Sequence, residues 1–274
     1  MTQRFRPTWA PDSVDLETPS AARMYDYYLG GSHNFAADRM LAEEYMRVLP
    51  DMPHIARANR HYLGRAVTAL ASAGIDQFLD LGSGLPTGGN VHDVAHAVNP
   101  DVRVVYVDAD SVTVAHGQAM LADVPFAAML HADLRDPQSV LGSREVAVQL
   151  DLTRPIAVLM VAVLHFVSSA DNPDAVVAAY REATVAGSHL VVSHATNDYH
   201  PETAKQAEGV YTQASHSMNF RSHDQILALM QGYELLPPGL VDVIAWRPDQ
   251  AAEHDPLGGD VTRYNLLAAV GRKD

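Results

Sequence analysis

The sequence contains no cysteine among its 274 residues. A disulfide framework, a cysteine-ligated zinc or iron–sulfur site and a thiol nucleophile are therefore excluded. Positive charge is also scarce, since 19 Lys and Arg stand against 33 Asp and Glu and give a formal net charge of −14. A nucleic-acid-binding surface needs clustered Lys and Arg, so this charge balance argues against a nucleic-acid partner. It does not exclude a local basic groove.

Long apolar runs are missing as well. The longest that matters, Ile156 to Leu164, has nine residues, which is too short to cross a bilayer. The first residues lack the apolar segment of a secretory signal. Apolar residues make up 47% of the chain and charged residues 19%, as in ordinary globular proteins. We therefore expect a globular protein that has no membrane partner and is located in the cytoplasm.

The pattern along the chain predicts three parts. Residues 1–19 carry three prolines and no clear period, which indicates an irregular arm. Residues 20–73 have helical spacing in three stretches, separated at Gly30-Gly31 and near residue 50. Residues 74–274 alternate short apolar runs with helical segments, the pattern of a parallel sheet covered by helices on both faces. Strands are predicted at Gln77–Leu81, Val102–Val107, Ala127–His131, Ile156–Val161, His189–Ser193, Leu240–Arg247 and Arg263–Gly271.

A glycine-rich turn after the first predicted strand is the most informative segment. It reads Phe78-Leu79-Asp80-Leu81-Gly82-Ser83-Gly84-Leu85-Pro86-Thr87. Glycines at such a turn let the backbone approach a ligand closely. No lysine lies near the turn, which excludes a phosphate-binding P-loop. A nicotinamide-binding loop fits poorly, because Thr87 stands where the third glycine belongs and the carboxylate of Asp80 would repel a pyrophosphate. The acid favours a cationic ligand without phosphate, and S-adenosylmethionine is one.

Two further strand ends support this interpretation. The second predicted strand ends at Asp108-Ala109, where a carboxylate can accept hydrogen bonds from both ribose hydroxyls, with Asp110 as a weaker candidate. The third ends at Asp133-Leu134, which predicts a carboxylate for the adenine amino group and an apolar cover for the ring. Capping of helices is the alternative role for any one of these acids.

These strings resemble the class I S-adenosylmethionine-dependent methyltransferases, and most closely a bacterial branch formerly catalogued as a domain of unknown function. The resemblance spans nearly the whole chain. It rests on Ser20-Ala-Ala-Arg23-Met-Tyr25-Asp26-Tyr-Tyr28-Leu-Gly30-Gly31, on Asn34-Phe35-Ala-Ala-Asp38-Arg39, and on residues 77–87 followed by Asn90-Val-His92.

The resemblance implies an α/β, Rossmann-like fold with a seven-stranded mixed sheet, helices on both faces and residues 20–73 as a helical lid. The cofactor S-adenosylmethionine would lie at the carboxyl ends of the first four strands. Arg23 would pair with the carboxylate of the cofactor. Tyr25 and Tyr28 would close against the ligand, with plain helix packing as the alternative.

Histidines offer further candidates. His165 follows the fourth predicted strand, where the transferred methyl group lies in this fold class, so it is a candidate general base. His194 ends the fifth strand and is a second catalytic candidate. The long connection at residues 194–222 is predicted to be an insertion that shapes the acceptor pocket. His92 and His96 are spaced like zinc ligands on a helix, but no third ligand is evident, and we predict no metal site.

The sequence thus predicts a methyltransferase that acts on a small-molecule acceptor by direct transfer. A non-catalytic module that binds S-adenosylmethionine and a nicotinamide-dependent oxidoreductase are the alternatives. The acceptor atom and the oligomeric state are not encoded in any pattern that we recognise.

Overall fold

A computed structural model describes residues 15–85, 88–248 and 256–274 of the chain. Within these ranges it has ten α-helices, eight β-strands and three short 3₁₀ helices. The α-helices are α1 (Ala21–Tyr28), α2 (Ala36–Val48), α3 (Met52–Ser72), α4 (Val91–Val98), α5 (Ser111–Met120), α6 (Pro137–Leu141), α7 (Arg144–Gln149), α8 (Pro173–Ala183), α9 (Pro201–Tyr211) and α10 (His223–Leu229). The strands are β1 (Gln77–Leu81), β2 (Arg103–Asp108), β3 (Ala127–His131), β4 (Ala157–Val161), β5 (His189–Ala195), β6 (Glu234–Leu235), β7 (Val241–Asp242) and β8 (Leu266–Arg272). The 3₁₀ helices are Leu164–Phe166, Ser169–Asp171 and Val261–Tyr264.

The strands form one mixed sheet in the order β3-β2-β1-β4-β5-β8-β6, with β7 also paired to β8. Strands β1 to β5 are parallel, and β8 runs antiparallel to β5, β6 and β7. The predicted Rossmann-like α/β fold with helices on both faces is confirmed. The predicted count of seven strands becomes eight, because the outermost strand is split into the two-residue pieces β6 and β7.

Each parallel strand contributes to two cores, because successive side chains of a strand point to opposite faces. Phe78 and Leu79, neighbours on β1, belong to different buried clusters. Helices α3, α4 and α5 pack on the Phe78 face, and α6, α7, α8 and α10 pack on the Leu79 face. Burial on both faces explains why these strands are continuous apolar runs rather than alternating ones.

The order of the sheet also fixes where a ligand can bind. The chain leaves β1 towards β2 and β3 on one side, then returns to β4 and β5 on the other side. The connections after β1 and β4 therefore diverge and leave a crevice at the carboxyl edge of the sheet. Asp80 near the end of β1 is in register with Tyr106 of β2 and Leu159 of β4, so it lies beside this crevice.

The predicted strand at Leu240–Arg247 is wrong beyond its first residues. Only Val241–Asp242 pairs with β8, and a turn follows. The side chain of Arg65 on α3 donates to the carbonyls of Val243 and Trp246, at 2.8 and 2.9 Å. These bonds and the complete burial of Trp246 hold the segment against α3 instead of along the sheet. The Pro- and Gly-rich connection that follows lies largely outside the described residues.

The three N-terminal helices do not act as one unit. Helices α1 and α2 pack on each other, and α2 also packs on α9 of the 194–222 insertion. Helix α3 instead lies on the sheet, where the hydroxyl of Tyr62 donates to the carbonyls of Val192 and Ala269. The predicted lid, residues 20–73, thus consists of α1 and α2, which pack on each other, and of α3, which packs on the sheet. No helix in the described ranges is long and apolar enough to span a membrane. The predicted arm, residues 1–19, lies mostly outside the described residues.

Candidate functional site

A cavity of about 350 Å³ lies over the carboxyl ends of β1, β2 and β4. This volume lies within the usual range of small-molecule sites. Its floor contains the glycine-rich turn and the predicted strand-end acids. Its walls come from α1, α2, the first half of α3, the 3₁₀ turn after β4, and the 194–222 insertion. Of the predicted site residues, those that line it are Arg23, Tyr25, Asp80, Gly82, Ser83, Gly84, Asp108, Ala109, Asp133, Leu134 and His165.

Gly82 and Gly84 of the turn share one constraint, a positive φ, and differ in the space around them. Both have positive φ, +67° at Gly82 and +64° at Gly84, which side chains rarely adopt. A Cβ at Gly82 would lie 2.1 Å from Cγ2 of Val163, so a side chain there is sterically excluded. A Cβ at Gly84 would meet nothing within 4 Å. The turn therefore leaves an open cradle on its cavity side at Gly84. Thr87, where the sequence departs from a nicotinamide-binding loop, and Pro86 before it lie outside the described residues.

Asp80 is the most deeply buried acid of the floor, with 4% of its surface exposed. Burial raises its pKa to about 7, and the Asp108 carboxylate acts in the same direction, whereas the charge of Arg60 lowers it. The negative charge of ionised Asp80 is therefore only partly compensated, by Arg60. An ammonium or sulfonium group placed beside Asp80 would supply further compensation.

Asp108 closes β2 and braces the glycine-rich turn. One carboxylate oxygen accepts a hydrogen bond from the backbone N–H of Gly84 at 2.8 Å, and the other accepts from that of Asp110 at 2.9 Å. Burial raises its pKa to about 6, and these hydrogen bonds act against the rise. Asp110, the weaker candidate, caps α5 by accepting from the N–H of Thr113. Both acids line the cavity, and Asp108 is the one that bonds to the glycine-rich turn.

Asp133 lies at the rim of the cavity and is already paired. The guanidinium of Arg135 donates to both of its oxygens, at 2.6 to 3.0 Å. Burial raises the pKa of Asp133, but the hydrogen bonds and charge of Arg135 outweigh it and lower the pKa overall. Leu134 is buried and lines the same wall. Arg135 was not a candidate in the sequence, although its place two residues after Asp133 was the available signal.

The structure places Arg23 in a buried network of ion pairs beside the cavity. Its side chain is 3% exposed and forms ion pairs with Asp38 at 2.9 Å and Asp110 at 2.8 Å. Its remaining terminal nitrogen donates to the carbonyl of Thr18 at 2.7 Å. The guanidinium thus joins α1, α2 and the start of α5. Three of its five N–H groups are used in this way, so Arg23 braces these helices and also lines the cavity.

The two tyrosines of α1 separate. Tyr25 lines the cavity, its hydroxyl donates to the carbonyl of Ala56, and the same hydroxyl accepts from Asn59 at 2.9 Å. Tyr28 does not line the cavity and lies in the core, with its ring 6.2 Å from that of Tyr45. Contact with a ligand does not fit the placement of Tyr28, and helix packing, the alternative role, does.

The catalytic role expected of His194 also needs correction. The ring is fully buried and does not line the cavity. Its Nδ1 lies 2.8 Å from the carbonyl oxygen of Ala195, to which it must donate, and its Nε2 accepts from Nη1 of Arg221 at 2.7 Å. Burial lowers its pKa well below the usual value, and the neighbouring His165 and Arg221 add to this effect. His194 is a neutral structural link between β5 and Arg221.

His165 does line the cavity, but its ring is not set up as a base. Its Nδ1 accepts a long hydrogen bond, 3.4 Å, from the backbone N–H of Ala195. The neutral ring must then carry its proton on Nε2. Burial, with the charge of Arg221, lowers its pKa to about 3. Towards the cavity, His165 offers an N–H donor instead of a lone pair.

The histidine pair spaced like zinc ligands is used for packing. Nδ1 of His92 forms a hydrogen bond of 2.7 Å with the hydroxyl of Tyr106. His96 stacks on Phe126, with ring centroids 4.4 Å apart. No group of three or more His, Asp or Glu in the part of the chain that the structure describes could hold a metal ion.

Similarity to known proteins identifies the family of this chain. The model of the S-adenosyl methyltransferase family matches residues 7–274. The chain belongs to the S-adenosyl methyltransferase family. The protein is therefore an S-adenosylmethionine-dependent methyltransferase, and the family match decides against the nicotinamide alternative. A search of curated proteins found no match.

Solved structures support the same family assignment. A candidate methyltransferase from Thermobifida fusca YX is 40% identical, with 97% of this chain and 99% of that chain covered and a TM-score of 0.90. A DUF574 family protein from Streptomyces avermitilis MA-4680 is 38% identical, with 95% and 99% covered and a TM-score of 0.89. The N-methyltransferase NodS from Bradyrhizobium japonicum WM9, solved with S-adenosyl-L-homocysteine, is 13% identical, with 92% and 98% covered and a TM-score of 0.50, a likeness in fold alone.

The cavity of this S-adenosyl methyltransferase family member fits its cofactor in two ways. The open space at Gly84 admits a ligand against the backbone, and the buried acids Asp80 and Asp108 suit a cationic, hydroxyl-bearing group. Sequence reasoning missed two polar residues of α3, Asn59 and Arg60. It also missed the aromatic rings that line the cavity, Tyr45, Phe166 and Tyr211. The available signal was a pair of polar residues on a helix face that otherwise carries Ile55, Tyr62 and Leu63.

Proposed function

We propose that the protein transfers the methyl group to a small-molecule acceptor bound between the strand ends and the insertion. The observation that carries this proposal is the wall opposite the acids, where aromatic side chains from three elements meet. Tyr45 of α2 and Tyr211 of α9 pack edge to face at 4.9 Å, and Phe166 lies 5.6 Å from Tyr211. Rings of this kind form the apolar surface of small-molecule pockets.

The same wall is tied to the lid, which supports a small acceptor over a macromolecule. The backbone N–H of Ser215 in the insertion donates to the carbonyl of Pro19 at 2.9 Å. The hydroxyl of Tyr45 lies 3.3 Å from the sulfur of Met218. Lid and insertion thus cover the carboxyl edge together, so an acceptor must fit beneath them.

The residues of the floor would hold the cofactor. Asp108 would accept the ribose hydroxyls next to Ala109, and the Gly82-Ser83-Gly84 turn would pass close to the ligand. Asp80 would face the cationic amino-acid end, while Leu134 and the Asp133–Arg135 pair would border the adenine. When bound, S-adenosylmethionine supplies an electrophilic methyl group, so the protein has chiefly to align the acceptor and exclude water.

The placement of His165 supports a restricted chemistry. A neutral ring with its proton on Nε2 cannot take a proton from the acceptor, but it can donate a hydrogen bond to an acceptor oxygen or anion. The proposal therefore favours an acceptor whose nucleophile is reactive without a protein base, such as an acidic hydroxyl. Tyr25 closes the lid side of the cavity through its bond to the Ala56 carbonyl.

The test is the release of S-adenosylhomocysteine by the purified full chain over a panel of small aromatic and aliphatic acceptors. Phenols, carboxylic acids, amines and carbon nucleophiles form separate groups of the panel. The proposal expects turnover with at least one small acceptor and loss of it in Asp108→Ala. Saturable cofactor binding without turnover on any member would favour the non-catalytic binding module instead.

A further inference from the structure

Arg23 is already paired with Asp38 and Asp110, so the carboxylate of the cofactor has no assigned partner. S-adenosylmethionine ends in an amino acid whose ammonium and carboxylate are attached to the same carbon. A site for that end needs an anion and a cation side by side. Asp80 supplies the anion, and the cation must come from another residue that lines the cavity.

Three arginines line the cavity in the described part of the chain, and two are already paired. Arg23 binds Asp38 and Asp110, and Arg135 binds Asp133. The third, Arg60, forms no ion pair with any residue that the structure describes. Its Nη2 donates one long hydrogen bond, 3.3 Å, to the carbonyl of Leu85, and its Nε is buried without a hydrogen-bond partner.

The position of Arg60 matches the need. Leu85 directly follows Gly84, so the bond to its carbonyl places the guanidinium beside the glycine-rich turn. The charge of Arg60 is close enough to Asp80 to lower the pKa of that carboxyl. Nη1 of Arg60 is not buried and makes no hydrogen bond within the described residues, so it is open to a ligand in the cavity that Arg60 lines.

We infer that Arg60 binds the carboxylate of S-adenosylmethionine through its terminal nitrogens, while Asp80 faces the ammonium of the same amino acid. This inference rests on the proposed cofactor site. The guanidinium fork matches a carboxylate bidentately, which the ammonium of a lysine cannot do. Arg60 is then a positioning residue that fixes the amino-acid end of the cofactor and so aims the methyl group.

The experiment compares two cofactors that differ in one group, S-adenosylmethionine and its decarboxylated analogue, by titration calorimetry with the full chain. Titrations at about pH 8 and at about pH 9 show whether the ionisation of Asp80 contributes, because loss of the Arg60 charge lets the pKa of Asp80 rise. Arg60→Gln should weaken binding of S-adenosylmethionine about 10- to 100-fold, the range for a hydrogen bond to a charged group. Binding of the decarboxylated analogue should change by less than about threefold, since it lacks the group that Arg60 holds.

Arg57→Gln is the matched control, because Arg57 lies on the same helix, is exposed and does not line the cavity. It should leave both affinities unchanged. Arg60→Lys should lie between the wild type and Arg60→Gln for S-adenosylmethionine, which keeps the test valid if the neutral variant folds poorly. Equal weakening of both ligands by Arg60→Gln, or no weakening of either, would overturn the inference and leave Arg60 as a brace of the Leu85 carbonyl. Wild-type protein that binds neither ligand would overturn the proposed function itself.

Discussion

The carboxylate of Asp108 accepts a hydrogen bond from the backbone N–H of Gly84 at 2.8 Å, across 24 residues of sequence. The acid that ends one strand therefore shapes the turn that follows its neighbour. Because the same carboxylate lines the cavity, the conformation of the turn and the recognition of the ribose depend on one side chain.

Replacement of this acid should impair cofactor binding. In Asp108→Ala, we expect the affinity for S-adenosylmethionine to fall by about 1.5–3 kcal/mol, the scale of hydrogen bonds to a charged group. Titration calorimetry measures it, with Asp123→Ala as an exposed control that should bind like the wild type. An unchanged dissociation constant in Asp108→Ala would show that the ribose lies elsewhere.

Some parts of this site could be predicted from the sequence and others could not. Asp80, Asp108 and Asp133 were identifiable because each ends an apolar run, and parallel strands bring such ends to one edge. The partners of Arg23 were not, because Asp38 and Asp110 lie 15 and 87 residues away and no local period links them. For the same reason, nothing in the Leu240–Arg247 pattern revealed that Arg65, on a distant helix, takes its carbonyls.

Arg23 should prove structural. In Arg23→Gln, we expect a loss of about 3–5 kcal/mol in the free energy of unfolding, because Asp38, which is fully buried, would be left ionised without its cation. Urea unfolding measures this loss. Arg47→Gln, an exposed change in the same lid, should cost almost nothing.

A second change isolates the cause of that loss. Asp38→Asn added to Arg23→Gln should recover part of the stability, since it removes the uncompensated charge. If Arg23→Gln instead keeps full stability and loses only the binding of S-adenosylmethionine, while the decarboxylated analogue still binds, then Arg23 is the carboxylate partner after all.

Asp80 links pH to stability and to binding. Its pKa in the folded protein is raised to about 7, mainly by burial, so the folded state holds this proton more tightly than the unfolded state. The stability of the free protein should therefore fall as the pH rises from about 4 to about 7. Asp80→Asn should remove the part of this slope between about pH 6 and about pH 7, while Asp108, whose pKa is raised to about 6, still contributes below it. The variant should also raise the melting temperature at about pH 8, as measured by thermal unfolding.

The same variant should bind S-adenosylmethionine more weakly, because the anion beside the ammonium is gone. In the wild type, affinity should decrease below about pH 7 as Asp80 takes up its proton. Calorimetric titrations across this range report the change. A pH-independent affinity together with an unchanged melting temperature in Asp80→Asn would mean that the acid is compensated within the protein.

His165 should stay neutral with its proton on Nε2. With burial lowering its pKa to about 3, the ring should not titrate at any pH above about 5. Nitrogen-15 NMR of labelled histidine distinguishes the two ring nitrogens, and His165→Gln assigns the signal. We expect a protonated-type shift for Nε2 and an unprotonated-type shift for Nδ1. A ring that gains a proton near neutral pH would return His165 to the role of a general base.

Gly82 and Gly84 should respond differently to the same substitution. Both alanine variants carry the strain of a positive φ, about 1–2 kcal/mol. Only in Gly82→Ala does the new methyl group also collide with Val163, whose Cγ2 lies 2.1 Å away. We therefore expect Gly82→Ala to lose about 1–3 kcal/mol more in the free energy of unfolding than Gly84→Ala, as measured by urea denaturation.

Cofactor affinity should be affected more directly by Gly84→Ala than by Gly82→Ala. The methyl group of Gly84→Ala points into open space of the cavity floor, so it should weaken cofactor binding in a protein that remains well folded. Val163→Ala is the matched second change, because it removes the methyl groups that Gly82→Ala would strike. It should restore part of the stability of Gly82→Ala and add only destabilisation to Gly84→Ala. Equal loss of stability in the two single variants, with no rescue by Val163→Ala, would show that strain in the turn, and not contact with Val163, requires glycine at both positions.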